Sequence, residues 1–422
     1  MSEGFPTITL GTVASITMGQ SPGSETYNAE EHGLPFLQGC AEFGPLHPQA
    51  RIYSSLPLRV AKRDSILISV RAPVGTLNIA DQDYCIGRGL GAVMGMPGRS
   101  ITGFLQYAIK QNVHFLHRRS QGSTFLAVGS GDLKLLPVPS IGIAYQEQIA
   151  EILSALDATI DKTEALIAKY QQIKAGLMHD LFTRGITADG KLRPPREQAP
   201  ELYQETPIGW IPKEWKLSSI RECVHVIDPN PSHRYPVEVA DGIPICSTEN
   251  FLGEDGFDIS RSKQVPSHIF EEQDARCNLN SDDVVFARKG KIGLARRYGK
   301  DRKVFSHTVV ILKSASTALY GKWLVWLARS EWMLKQIEKS MNTNLGVPTL
   351  GVAFIQAVKV PLPPSNEQLP ISLQLDGITA TIASETASLE KLIKQRSGLM
   401  HDLLTGKARV PLDTHAPEPA HV

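Results

Sequence analysis

The sequence of 422 residues lacks most of what would announce an enzyme or a membrane protein. Its five cysteines (Cys40, Cys85, Cys223, Cys246, Cys277) are scattered, odd in number and never in Cys-x-x-Cys spacing. That argues against a disulfide framework or a zinc site and fits reduced thiols in a cytoplasmic protein. No apolar run approaches the ~18 residues that span a bilayer. The start, with Glu3 among Thr and Gly, does not read as a signal peptide. The formal net charge is only +1, so a nucleic-acid surface must be a local patch. There is no phosphate loop ending in Gly-Lys-Ser/Thr, which argues against an NTPase. Gly87-Arg88-Gly89-Leu90-Gly91 matches a methyl-donor loop weakly, and no strand–turn–helix unit surrounds it. Asp228-Pro229-Asn230-Pro231-Ser232 lacks the adjacent prolines and the aromatic of an amino-methyltransferase motif; both segments read as turns. The adjacent pairs His179-Asp180 and His401-Asp402 supply too few ligands for a metal-dependent phosphohydrolase. A chain without a paired-carboxylate core or a nucleophile motif reads as a recognition module or an adaptor.

What is present is a long repeat. Gly176-Leu177-Met178-His179-Asp180-Leu181-Phe182 returns as Gly398-Leu399-Met400-His401-Asp402-Leu403-Leu404, 222 residues later. Working back from the end of the first copy, Ile149, Leu153, Leu156, Ile160, Ile167, Tyr170, Leu177 and Leu181 recur at steps of three and four. The same shift lands on Ile371, Leu375, Ile378, Ile382, Leu389, Leu392, Leu399 and Leu403, again all apolar. The interruptions keep phase too: Thr163 matches Glu385, and Lys174 matches Arg396. This is a heptad seam in duplicate, too narrow to be buried all round, so two such helices can bury their stripes against each other. At ~1.5 Å per residue each spans roughly 55 Å and makes a strut.

Around the helices the chain alternates. Residues 1–144 read as a strand-rich globular unit, with its clearest strand at Ser65–Val70 and a helix near Gly103–Leu116. A helix over 145–182 follows. A linker at 183–212 is broken by Pro and Gly, with Trp210 and Trp215 expected to pin it down. Residues 213–364 repeat the first plan with rewritten loops. Trp215–Ile220 answers the Thr9–Ile16 opening, Gly242–Ile245 answers Gly33–Phe36, and Asp282–Ala287 answers Asp64–Ser69. Ile292-Gly293 answers Val74-Gly75, and Pro361–Pro364 answers Pro137-Val138-Pro139. The second helix occupies 365–405, and 406–422 read as a disordered tail. The fold class is therefore α+β, with two globular domains separated by two long helices in an internal repeat.

Basic residues give the positive signal. Arg288, Lys289, Lys291, Arg296 and Arg297 crowd a predicted hairpin, followed by Lys300, Arg302 and Lys303. In the first domain Arg71 follows the equivalent strand, with Arg88, Arg118 and Arg119 elsewhere. Gln121 and Ser123, and Asn342 and Asn344, lie in matching polar loops ahead of the exit strands. Such side chains contact phosphates, and arginine also reads guanine edges. A solvated charged face remains the alternative for the run alone.

Two divergent domains separated by near-identical helices, each helix preceded by a Pro-x-Pro, form a distinctive order. Gln146-Glu147-Gln148 and Asn366-Glu367-Gln368 add to it, as do the Gly-Leu-Met-His-Asp-Leu endings and Ile208–Trp215. Together they resemble the DNA-specificity subunit of type I restriction–modification systems. The resemblance implies two target-recognition domains, each reading one half of a bipartite, asymmetric site in double-stranded DNA. It implies an antiparallel coiled coil that fixes the unread spacer and docks two modification subunits, which carry S-adenosylmethionine and methylate adenine. A restriction–translocation subunit using ATP and Mg would complete the assembly, and this chain would itself be non-catalytic. A coiled-coil adaptor that binds no DNA, and a stand-alone enzyme of unknown type, remain open at this point.

Overall fold

The apolar run Ile66-Leu67-Ile68 is buried at every position because two cores meet on its strand. Ile66 and Ile68 face one cluster with Phe104, Leu105 and Ile109. Leu67 faces another with Leu37, Tyr84 and Ile86, as the two-residue period of a strand requires. A computed structural model describes residues 4–120, 127–299, 301–315, 319–341 and 349–411. No described helix is long and apolar enough to cross a membrane, and all five cysteines are unpaired.

In the first domain the strands that place the site are β1 (Thr7–Thr9), β2 (Ala14–Met18), β3 (Leu34–Leu37), β4 (Ile66–Ser69), β5 (Leu77–Ile79), β6 (Tyr84–Ile86) and β7 (Leu90–Gly95), beside the short strands Tyr27–Asn28, Ile52–Ser54 and Val60–Ala61. Helix α1 (Thr102–Ser120), strand β8 (Pro137–Pro139) and the long helix α2 (Ile143–Thr183) follow. An antiparallel sheet runs β2-β7-β4-β5. Beside it a five-stranded sheet contains the parallel pair β3 and β6, with Phe36 opposite Cys85. The second domain repeats this with β9 (Lys216–Ser219), β10 (Val224–Ile227), β11 (Ile243–Cys246), β12 (Val284–Ala287), β13 (Ala295–Arg297), β14 (Val304–Phe305) and β15 (Val309–Ser314). Helix α3 (Gly321–Ala328), strand β16 (Lys359–Leu362) and the long helix α4 (Ser365–Thr405) complete it. Its sheet runs β10-β15-β12-β13, and β11 pairs in parallel with β14, Ile245 opposite Val304.

The registers equate Gly242–Ile245 with Gly33–Phe36 and Asp282–Ala287 with Asp64–Ser69, as the sequence suggests. Gly75 and Gly293 share the left-handed conformation at φ +86° and +87°. A Cβ on Gly75 would meet Val113 at 2.1 Å, and one on Gly293 would meet Leu334 at 3.0 Å. Three alignments need correction, the first at the exit strand: Thr9 pairs with Pro137 and Ser219 with Lys359, so Pro137-Val138-Pro139 corresponds to Lys359–Pro361, not to Pro361–Pro364. Leu10 donates to the Leu136 carbonyl and Ile220 to that of Val358, so Trp215–Ile220 corresponds to Phe5–Leu10, not to Thr9–Ile16. The Gln-Glu-Gln and Asn-Glu-Gln segments are also offset, because the equivalent residues are Gln146 and Gln368. The Gln146 Oε1 accepts from Ile101 N and Ser100 Oγ, both at 2.9 Å, and its Nε2 donates to the Ile141 carbonyl. The Gln368 Oε1 accepts from Tyr320 N at 3.0 Å, and its Nε2 donates to the Pro363 carbonyl. Each glutamine ties the first turn of a long helix to the start of α1 or α3.

Helices α2 and α4 are 41 residues each, ~60 Å at 1.5 Å per residue. The chain divides into Met1–Ala165 with Ala387–Val422, and Leu166–Thr386. Each unit therefore takes the N-terminal part of one long helix and the C-terminal part of the other, so the pair is antiparallel. In the first unit Ile149, Leu153 and Leu403 join the domain core; in the second Leu181, Ile371 and Leu375 do. The seam is buried or half-buried at every predicted position except Leu399, which is 39% exposed. There Met400 packs inward instead, because a straight helix drifts from a 3.5-residue repeat. The cations that interrupt the seam form ion pairs, Arg396 with Asp157 in the first unit and Lys174 with Glu254 in the second.

The linker is more ordered than its prolines suggest. It forms an antiparallel hairpin of Tyr203–Thr206 and Gly209–Pro212. Trp215 is buried and donates Nε1 to Glu367 at 3.0 Å, whereas Trp210 lies half-open under Arg196. Arg193 grips both oxygens of Glu367, at 2.6 and 3.1 Å, and Ile186 N donates to the same carboxylate. The start of the expected disordered tail is also built in, since Ala408 and Val410 pack on the first core; residues 412–422 lie outside the described residues. Removing one partner of a buried ion pair leaves an uncompensated charge. Arg193→Ala should therefore destabilise the second unit by about 3–5 kcal/mol, read as a drop in the urea midpoint. An unchanged midpoint would deny the linker its anchoring role.

Candidate nucleic-acid interface

In the first domain a turn and a loop lie side by side. The turn after β4 begins with Arg71, and the loop between β6 and β7 is Gly87-Arg88-Gly89. Val70 N donates to the Gly89 carbonyl at 2.9 Å, and Arg71 bridges to Ala127. The loop is clamped from below, with Gly87 N donating to Leu37 O at 2.7 Å and Gly89 N to Gln38 O at 3.2 Å. A Cβ on Gly89 would sit 2.5 Å from the Gln38 carbonyl, and one on Gly87 would sit 3.1 Å from Gln38 Cα. The glycines of this motif thus allow backbone approach, and Arg88 is the one side chain the tripeptide presents. Arg71 and Arg88 are both exposed. The end of α1 reaches the same turn, where a His117 ring nitrogen lies 2.9 Å from the Val74 carbonyl. Arg118 and Arg119 are exposed there; Arg119 pairs with Asp132 at 3.3 Å and stacks over Phe115. Gln121 and Ser123 lie outside the described residues, as do Asn342 and Asn344.

The second domain repeats the backbone with other side chains. Ser306 N donates to Cys246 O at 2.9 Å, Arg288 N to Thr308 O at 3.0 Å, and Lys289 bridges to Thr349. Lys289 is half-buried at this edge, and Lys291 is exposed, 4.0 Å from Glu249. Arg288 points inward and is buried. Its Nη2 donates to Asp228 at 2.9 Å and lies 3.0 Å from His233 Nε2, while its Nε donates to the His307 carbonyl at 2.9 Å. The same His233 Nε2 lies 3.2 Å from the Asp228 carboxylate, so it faces a donor-only guanidinium and an acceptor-only carboxylate together. The His307 ring lies 5.6 Å from the His233 ring and 5.6 Å from that of Tyr235. Burial, then the charge of Lys289, pushes the His307 imidazole below the ordinary histidine range, so it is neutral at neutral pH.

The basic run is therefore not one surface. Alternation along β13 sends Arg296 inward over Phe251, with Nη1 on the Ala295 carbonyl. Arg297 turns to the other side, where Asp255 at 3.2 Å and Asp376 at 2.6 Å hold it. Lys303 is buried against the rings of Tyr298 and Phe257, and Arg302 lies over Phe270. Sequence reasoning missed His233, Tyr235 and His307, which carry no motif and become visible only through the strand registers, and it read Asp228 only as the start of a turn. Among the described residues no group of three or more His, Cys, Asp or Glu is placed to hold a metal.

The family model of the type I restriction modification DNA specificity domain matches residues 58–172, a segment that includes Arg71, Arg88 and α1. A putative type I restriction enzyme MjaX specificity subunit from Methanocaldococcus jannaschii is 38% identical over 181 residues, covering 42% of this chain and 40% of that protein. The match thus spans well under two thirds of that relative. The MjaVIII specificity subunit of the same organism is 24% identical over 320 residues, covering 73% of this chain and 70% of that one. In fold, the chain is similar to the S subunit of a type I restriction-modification system from M. genitalium, with a TM-score of 0.62 at 16% identity, covering 95% and 96% of the two chains. A chain from a structure of type I R-M complex assembly and conformational transition gives 0.54 at 14% identity, covering 97% and 99%.

The geometry separates edge cations from internal ones. Lys289→Ala should lower the slope of log affinity for DNA against log salt by about one and leave the preferred sequence unchanged, as loss of one phosphate contact does. Arg297→Ala should instead cost about 1–3 kcal/mol of stability and leave the slope as it was. The reverse pattern, in titrations at several salt concentrations, would refute the division.

Proposed function

From its likeness to the type I restriction–modification DNA-specificity family, we propose that this chain belongs to that family and is the non-catalytic subunit that selects the DNA sequence on which such a complex acts. The observation that carries this reading is the duplicated edge. One backbone arrangement presents Arg71 and Arg88 in one domain and Lys289 with His307 in the other. Phosphate contacts fix register on the duplex, and base-edge contacts carry the sequence information. A scaffold repeated with different side chains at the same places reads two unlike half-sites. The site is then bipartite and asymmetric.

The long helices set the unread gap. Their seam positions are buried or half-buried apart from Leu399, whereas Ile152, Ile173, Leu373 and Ile393 stay exposed off the seam. Those positions suit helices of other proteins, and we assign them to two modification subunits that bring S-adenosylmethionine and methylate adenine. A restriction–translocation subunit that uses ATP and Mg completes the assembly.

Methylome sequencing of cells that express this chain with its modification subunit should reveal a bipartite methyladenine motif. Cells with the modification subunit alone should lack it. Four residues inserted in both helices, after Ala165 and after Thr386, add about 6 Å, close to two steps of ~3.4 Å, and keep a tolerable heptad phase. The gap should lengthen with both halves unchanged. A constant gap would refute the spacer role, and absence of any motif would refute the reading itself.

A further inference from the structure

The hydrogen bonds that hold the two edges put them in register residue by residue. Gly87 N to Leu37 O matches Ser306 N to Cys246 O, and Val70 N to Gly89 O matches Arg288 N to Thr308 O. The bridge from Arg71 to Ala127 matches that from Lys289 to Thr349. Arg88 therefore stands in the first domain where His307 stands in the second, midway between two backbone-clamped residues. The chemistry at this place differs sharply. Arg88 is exposed, its backbone N–H donates to Ser21 Oγ at 3.4 Å, and its guanidinium is a donor-only fork. His307 is held by the Arg288 guanidinium on its carbonyl and by the rings of His233 and Tyr235; its buried Nδ1 has no partner, and Nε2 is the nitrogen left open.

We propose that this matched position reads a base in each half-site, Arg88 recognising a guanine through its two major-groove acceptors and His307 reading one base pair of the other half with Nε2. The inference rests on the DNA-reading function above and assigns it to particular side chains. Guanine is the base whose major-groove edge offers O6 and N7 to a guanidinium fork. An imidazole presents a single open nitrogen and cannot read that edge in the same way. The two halves differ at this position because these two side chains differ. Arg71 and Lys289, the other matched pair, serve the phosphates beside it.

The test uses the full chain in complex with its modification subunit. Methylation motifs are mapped for the wild type and for the Arg88→Ala, Arg88→Lys, His307→Gln and Arg63→Ala variants. Arg88→Ala should relax one guanine position of one half-site, with discrimination falling about ten- to a hundred-fold, while the other half stays as it was. Arg88→Lys keeps the charge without the fork and should relax the same position. His307→Gln should alter one position in the opposite half only. Arg63, exposed and away from the loop, should be neutral. A wild-type motif that survives Arg88→Ala intact, or binding that weakens equally on all sequences, overturns the assignment and leaves the DNA-reading function standing. A wild type with no bipartite motif overturns both.

Discussion

A domain that reads bases is useful on a strut only if it cannot swivel, and here directional polar contacts on the long helices supply that constraint. In the first unit Tyr107 of α1 donates to Asp157 of α2 at 2.9 Å, and Arg396 of α4 grips the same carboxylate. Burial, then the Asp157 charge, raises the Tyr107 phenol well above its ordinary range, so it stays a donor. In the second unit Trp326 of α3 and Arg297 both donate to Asp376 of α4. Arg329, one turn from Trp326, holds Asp255 at 2.6 Å, and Lys174 of α2 pairs with Glu254. Apolar packing alone is non-directional and tolerates rotation about the helix axis. A hydrogen bond from a ring to a carboxylate weakens steeply with angle. Each domain is mounted by both kinds of contact at once.

This explains why the seam carries cations at Lys174 and Arg396. In a coiled coil an apolar residue at those places would add burial. Here the helix face turns toward a globular domain as well as toward the other helix, and the cation reaches a carboxylate there. The sequence shows the interruption and its phase; its purpose needs the third body, which no periodicity encodes. The glutamines behave likewise. Gln146 and Gln368 look like ordinary helix starts, yet each satisfies backbone groups at the junction where the chain enters α1 or α3.

Much of the architecture is legible because it rests on local periods. The seam, the duplicated strands from Asp64 and Asp282, and the glycines at 75 and 293 follow from spacing and turn chemistry. Alignment failed at the first strand, where loop lengths differ between the halves, and at the glutamine segments, where a likeness of residue types departed from the helical repeat that Gln146 and Gln368 themselves obey, since sequence likeness without a hydrogen-bond register slides freely. The basic run misled for a different reason. Density of charge along the chain says nothing about direction, and one strand, β13, sends Arg296 and Arg297 to opposite sides, neither of them the loop edge. The polar linker hid its order in the same way, because Arg193 and Glu367 are far apart in sequence and stabilise each other only once both are buried.

The two loops show how one backbone hydrogen-bond pattern survives different side chains. In the first domain glycine on either side of Arg88 lets the Gln38 backbone approach closely, and main-chain bonds hold the loop together with the Ser21 hydroxyl, which accepts from Arg88 N. The second domain has Ser306 and Thr308 there. Their hydroxyls lie 2.8 Å apart, Thr248 N donates to the threonine, and the Arg288 side chain secures the carbonyl of His307. The first arrangement frees a long cation to adapt to its target; the second pre-sets a short ring between neighbours. Ordering a free arginine costs roughly 1–2 kcal/mol of side-chain entropy on binding, a cost that a ring already fixed in the unbound protein largely avoids. Under the proposed assignment, the half read by His307 depends on a geometry built before DNA arrives, and the half read by Arg88 on one completed at contact.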